Sequence, residues 1–247
     1  MASKSESGHP INVANFDEMI SYVTGYGTVY NPSKSSIKLA ALQTIATNVK
    51  TATTAVNSAL PAYSNAVSAR EVGFDPLSKL TTRIINALKA TDTTTQVDDS
   101  AVTLARKIQG TRAKAKKTEA EKTALATEGT VVTENSSSQM SYDNRLESFD
   151  KLIKLLASVA LYAPNEADLK VAALTTYYND LKAKNAAVIS ASVPLSNARI
   201  SRNDILYKTN TGLVDIAFDV KVYVKSVFGA TSPQYKQISK LKFTKPR

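Results

Sequence analysis

A chain of 247 residues can bury a large core, either in one domain or in two of about 100 to 120 residues each. Hydrophobic residues make up 43 % and charged residues 21 %, with only 8 Gly, 8 Pro and no Trp, a balance that favours helix over a turn-dense β fold. The absence of Cys and the single His exclude disulfide and thiolate chemistry and the usual zinc, haem and iron–sulfur ligand sets, while a formal charge of +10 directs attention to anionic partners.

Residues 1–13 read as a flexible N-terminal tail. "MASKSESGHP" has no apolar run of the kind a secretory leader needs, and His9, just ahead of Pro10, falls in a polar stretch expected to fray. A first helix carries Phe16 and Ile20 and breaks at "TGYGT" (24–28), where Gly25 and Gly27 allow backbone angles that other residues resist. "YNPSKSS" (30–36) separates it from a second helix, in which Leu42, Ile45, Val49, Ala52 and Val56 recur at alternating steps of three and four. A loop is expected near 71–76, around Gly73 and Pro76, followed by a third helical stripe of Leu77, Leu80, Ile84 and Leu88. "TDTTTQVDDS" (91–100) ends that helix and offers Asp99 or Ser100 as the N-cap of a fourth. The polar, aperiodic residues 128–141 read as a linker.

The pattern then starts again. Leu146, Phe149, Leu152, Ile153, Leu156, Val159 and Ala160 form one stripe, "YAPNEAD" (162–168) interrupts, and Leu174, Tyr177, Leu181, Lys184 and Val188 form the next. Leu213, Ile216, Val220, Val224 and Val227 form a third, and "GATSPQ" (229–234) provides a Gly stop, a Ser232 cap and Pro233 at the first position of a fourth helix. Residues 37–70 and 169–202 align without a gap, with 14 of 34 positions identical, among them Ala40-Ala41-Leu42 over Ala172-Ala173-Leu174 and Arg70 over Arg202. The expected fold class is therefore all-α, as two tandem four-helix units with pseudo-symmetry arising by internal duplication. Helical repeat 1 covers 14–127 and helical repeat 2 covers 142–247, joined by the linker at 128–141.

The closing stretch "SVFGATSPQYKQISKLKFTKPR" (226–247) is similar to the C-terminal signature of a group of uncharacterised helical bacterial proteins. The resemblance spans about twenty residues and implies no activity.

Charge is concentrated in two places. Between Ala101 and Lys122 seven basic residues face two Glu, and from Asp219 to Arg247 seven face one Asp. Clustered cations of this kind can neutralise phosphates and release counterions, so Arg106, Lys107, Arg112, Lys114, Lys116 and Lys117 are the candidate nucleic-acid contacts. The competing reading of "TRAKAKKTEAEKTALA" is a solvated helix, and it lacks the interleaved aromatics that stack on bases.

The carboxylate groups, Asp215 with Asp219 and Asp143 with Glu147 and Asp150, read as helix-surface charge, since no His accompanies them. The recurring Arg70 and Arg202 read first as packing residues and second as remnants of a shared binding site. No Walker A sequence, dinucleotide fingerprint or nucleophile elbow occurs. The sequence points to a non-enzymatic structural or protein-interaction protein, with self-association as one use of its helical faces. The alternative is a non-specific nucleic-acid-binding protein using the basic helical segments. No catalytic residue, cofactor, metal or small-molecule substrate is expected. The longest apolar stretch, "LLASVALYA" (155–163), is far too short to span a bilayer, and a cytoplasmic location is expected.

Overall fold

A computed structural model describes residues 8–111 and 140–246, together with Thr118, Thr123 and Thr127. It is all-helical, with no strand among the described residues. The helices are α1 (Gly8–Gly25), α2 (Leu39–Phe74), α3 (Leu77–Lys89), α4 (Thr95–Gln109), α5 (Tyr142–Ser158), α6 (Val171–Tyr207), α7 (Leu213–Phe228) and α8 (Pro233–Ser239). Single 3-10 turns occupy Gly27–Val29, Ser35–Ile37 and Ala167–Leu169. Among the described residues no helix is long and apolar enough to cross a membrane.

The chain divides into two compact units. The first comprises Met1–Tyr63 and Ala191–Arg247, and the second Ser64–Ser190. Each unit thus takes chain from both sides of residues 128–141: the first holds α1, α7, α8 and parts of α2 and α6, the second α3, α4, α5 and the remaining parts.

In the first unit α1 packs on α7 and α8. Phe16, Met19 and Val23 lie on one stripe of α1 and meet Leu42 and Val49 of α2, Leu206 of α6 and Leu213, Ile216, Val220 and Val224 of α7, all buried. In the second unit α4 lies between α3 and α5, as the small side chains of Ala101 and Ala105 permit. Leu77, Ile84 and Leu88 of α3 join Phe149, Leu152 and Leu156 of α5 and Leu174 and Leu181 of α6 in its core. Truncating Phe16 or Phe149, both fully buried, to Ala would cost about 3–5 kcal/mol.

Several local features differ from the sequence expectation. Helix α1 starts at Gly8, so residues 8–13 are not all tail. The cause is Asn12, fully buried, whose amide donates to the Thr244 carbonyl at 2.8 Å while its oxygen accepts from the Thr244 N–H at 3.0 Å. Helix α4 starts at Thr95, a turn ahead of Asp99 and Ser100, because Thr94 adopts the extended N-cap conformation and Thr93 Oγ1 donates to Asp98 in the first turn at 2.9 Å. Gly73 is not in a loop. It lies in the last turn of α2, where a Cβ would sit 2.8 Å from Lys184 Cδ and 3.3 Å from Leu181 Cδ2, and its carbonyl accepts from Tyr177 Oη at 2.6 Å.

The Ser232 cap expected from the sequence is present, and two further helix ends follow the same capping chemistry. Gly110 ends α4 with φ 71°, a left-handed angle that Gly adopts without steric cost, and returns its N–H to the Arg106 carbonyl. Ser141 and Ser232 cap α5 and α8 by accepting the N–H groups of Asn144 and Tyr235. Val227 departs from its stripe and is exposed, whereas Leu213, Ile216, Val220 and Val224 are buried.

Candidate functional site

A group of polar side chains lies in the first unit, where α1, α2 and α6 contribute side chains to one cleft. Its polar floor is set by His9. The Arg202 guanidinium reaches His9 Nε2 at 3.2 Å, and His9 Nδ1 lies 2.5 Å from Tyr207 Oη. Arginine only donates, so Nε2 must accept, which leaves the imidazole proton on Nδ1 and makes Tyr207 Oη its acceptor. Asn12 Nδ2 adds a longer bond to the same oxygen at 3.4 Å.

This arrangement favours an uncharged ring. Burial, and then the neighbouring Arg202 charge, lower the His9 pKa below its ordinary 6.5. Burial also pulls the Arg202 pKa down, with Arg199 adding repulsion, and burial raises that of Tyr207.

The cleft above this floor has a volume of about 940 Å³. Pro10, Val13, Ala14, Val56 and Leu60 give it apolar walls, Thr53, Thr54 and Asn57 give neutral polar groups, and Asp17, Lys50, Arg199 and Arg202 give charge. Asp17 is paired with Lys50 at 2.9 Å. Among the described residues no carboxylate lies within ion-pair distance of Arg199 or Arg202.

Arg70, which aligns with Arg202, has a structural setting in the second unit. Its Nη1 donates to Asn185 at 3.1 Å, its guanidinium covers the Tyr142 ring at 3.9 Å, and Asn185 passes the network on to Asp143 at 2.8 Å. The repeat offset of 133 that matches Phe16 with Phe149 also matches His9 with Tyr142, so each Arg meets a ring at the start of a helix. Sequence reasoning missed His9 because a lone His beside Pro in a polar segment carries no periodic signal. The recurrence of Arg202 was the available clue.

Of the candidate nucleic-acid contacts, Arg106 and Lys107 occupy the last turn of α4, where cations oppose the negative end of the helix dipole. Arg112, Lys114, Lys116 and Lys117 lie outside the described residues, as does most of the linker at 128–141. In the other basic segment three lysines have partners within the fold. Lys221 Nζ donates to the Leu241 carbonyl and sits 5.3 Å from the Phe243 ring, Lys225 lies 5.8 Å from the Tyr235 ring, and Lys245 pairs with Asp215 at 2.7 Å.

The carboxylates singled out by sequence are likewise engaged. Asp219 pairs with Lys34, Glu147 with Lys151 and Asp150 with Lys154. Among the described residues no group of three His, Asp or Glu side chains is placed to hold a metal ion. The chain matches no protein-family model, no curated protein and no solved structure.

Proposed function

We propose that the chain is a non-enzymatic helical interaction protein of the cytoplasm, built by duplication of a four-helix segment and contacting a protein partner, a second copy included, through apolar helix faces. The observation that carries this reading is a pair of such faces in the first unit. Phe218 and Val222 stand one turn apart on α7 with 47 % and 68 % of their surface exposed, and Val193 and Ile200 stand two turns apart on α6 with 52 % and 57 % exposed. Single exposed apolar residues are ordinary on protein surfaces, whereas residues a turn apart are neighbours on one helix face and begin a contiguous apolar patch of the kind contact surfaces use.

Matching details support the duplication. Tyr30 Oη donates to the Ile37 carbonyl at 2.6 Å, and Tyr162 Oη, 132 residues on, donates to the Leu169 carbonyl at 2.9 Å. The 3-10 turns Ser35–Ile37 and Ala167–Leu169 keep the same offset. Arg83 of α3 pairs with Asp168, and Asp219 of α7, which aligns with Arg83, pairs with Lys34, two residues from Ser36, the position that matches Asp168.

Light scattering over a concentration series tests the contact reading. The expected result is a mass that rises with concentration, and Val222→Glu should lower it. A chain that stays monomeric at every concentration and purifies without a partner would remove it.

A second reading, weak polyanion binding, is favoured by the exposure of Lys107 and by the run of Arg112, Lys114, Lys116 and Lys117 that follows it. Replacing Lys114, Lys116 and Lys117 with Gln should weaken binding to DNA or RNA and flatten its salt dependence. Unchanged binding in that variant would count against it.

A further inference from the structure

The cleft of the first unit is lined by Arg199 and Arg202, neither with a carboxylate partner among the described residues, beside apolar walls from Val13, Val56 and Leu60. We propose that this cleft binds a small organic phosphate monoester, its phosphate held by Arg199 and Arg202 and its apolar body lying along α1 and α2.

Three observations converge on that class. The first is charge. Lys50 and Asp17 cancel one another through their 2.9 Å ion pair, and His9 accepts a hydrogen bond from Arg202 as a neutral ring. The cleft is left with two positive charges, and a phosphate monoester carries about −1.5 to −2 at neutral pH. A monocarboxylate would neutralise only one of them.

The second is geometry. His9 and Asn203 accept hydrogen bonds from Arg202 Nη2, and Asn203 also accepts from Nε, so the guanidinium is held at one edge before any ligand arrives. Its Nη1 has no acceptor among the described residues. Preorganised guanidinium forks are the side chains that match phosphate oxygens, and an Arg already held by neighbours loses less freedom on binding.

The third is size. A cleft of about 940 Å³ lies at the upper end of the span used for drug-sized ligands, with room for an organic body behind the headgroup. Its walls mix apolar side chains with Thr53, Thr54 and Asn57, a lining that suits an uncharged organic group better than a second ionic one.

This inference does not depend on the interaction reading, since a binding cleft and a contact face can coexist on one unit. The test is isothermal titration of the full chain at low ionic strength with n-hexyl phosphate, inorganic phosphate and n-hexanol. One saturable site for hexyl phosphate is expected, weaker binding of inorganic phosphate, and none of hexanol.

Arg199→Gln is the decisive variant, because Arg199 is exposed and its replacement leaves the His9 and Arg202 bonds in place. It should weaken hexyl phosphate by about tenfold or more, as expected for loss of a charge-assisted contact. Arg202→Gln should weaken it at least as much, with a thermal melt confirming that the variant is folded. Absence of a saturable site, equal binding of hexanol, or an unchanged affinity in Arg199→Gln would each overturn the proposal.

Discussion

The Arg70 guanidinium lies 3.9 Å from the centroid of the Tyr142 ring, so α2 and α5 are joined by a planar cation resting on an aromatic face. The same side chain donates to Asn185, which is buried and donates in turn to Asp143. Arg70→Ala should therefore remove a stack and leave Asn185 with an unmet acceptor, costing about 2–3 kcal/mol in urea unfolding. Arg70→Lys keeps the charge and loses the plane, and should fall between wild type and Ala.

Asn12 supplies a second test. Its two bonds to Thr244 are the only described polar contacts that tie α1 to the backbone of that residue, and the side chain is fully buried. Asn12→Ala should destabilise the chain by about 2–3 kcal/mol and expose the Thr244 amide to hydrogen exchange. Protection of that amide at the wild-type level would show that the clamp is dispensable.

The His9 ring gives a pH signature. Its folded pKa lies below 6.5, so between the two values the unfolded chain binds a proton that the folded chain does not. Stability from this site is present above pH 6.5 and is lost as pH falls through the folded pKa. The groups around the ring are Arg202, Tyr207, Arg199, Lys50 and Asp17. His9→Gln should reduce the slope of stability against pH in that window, and an NMR titration should place the wild-type ring below its ordinary value. A ring that titrates above 6.5 would contradict the geometry.

Tyr30 and Tyr162 form a matched pair for mutation. Each hydroxyl lies against a backbone carbonyl seven residues on, and burial raises both pKa values, that of Tyr162 to about 12. Tyr30→Phe and Tyr162→Phe should each cost about 1–2 kcal/mol, because each strands one buried acceptor. Strongly unequal costs would argue against equivalent roles.

Helix content and most of the core were legible in the sequence because apolar steps of three and four survive in isolation. Leu42, Val49, Leu174 and Leu181 on their long helices are all buried, as is Leu213 on α7. Signals that depend on a distant partner were not legible. Asn12 and Thr244 are 232 residues apart, and the polar start of the chain looks unanchored until its partner is known. His9 and Arg202 are 193 apart, so the cleft exists only after folding. Gly73 resembled a turn residue because close approach and loop freedom favour the same small residue. The lysines near the C-terminus added to the positive charge that read as polyanion-binding, whereas Lys221 and Lys245 serve the fold.

Because each compact unit draws on chain from both sides of residues 128–141, a break in that stretch would divide neither unit cleanly from the other. Fragments 1–133 and 134–247, expressed apart, would each bury only part of either core and should remain poorly folded. Mixed together, they have every segment needed to complete both cores, so this chain is suited to split-protein complementation. Restored folding on mixing would show that the peptide link between the fragments contributes chiefly by keeping them at high local concentration.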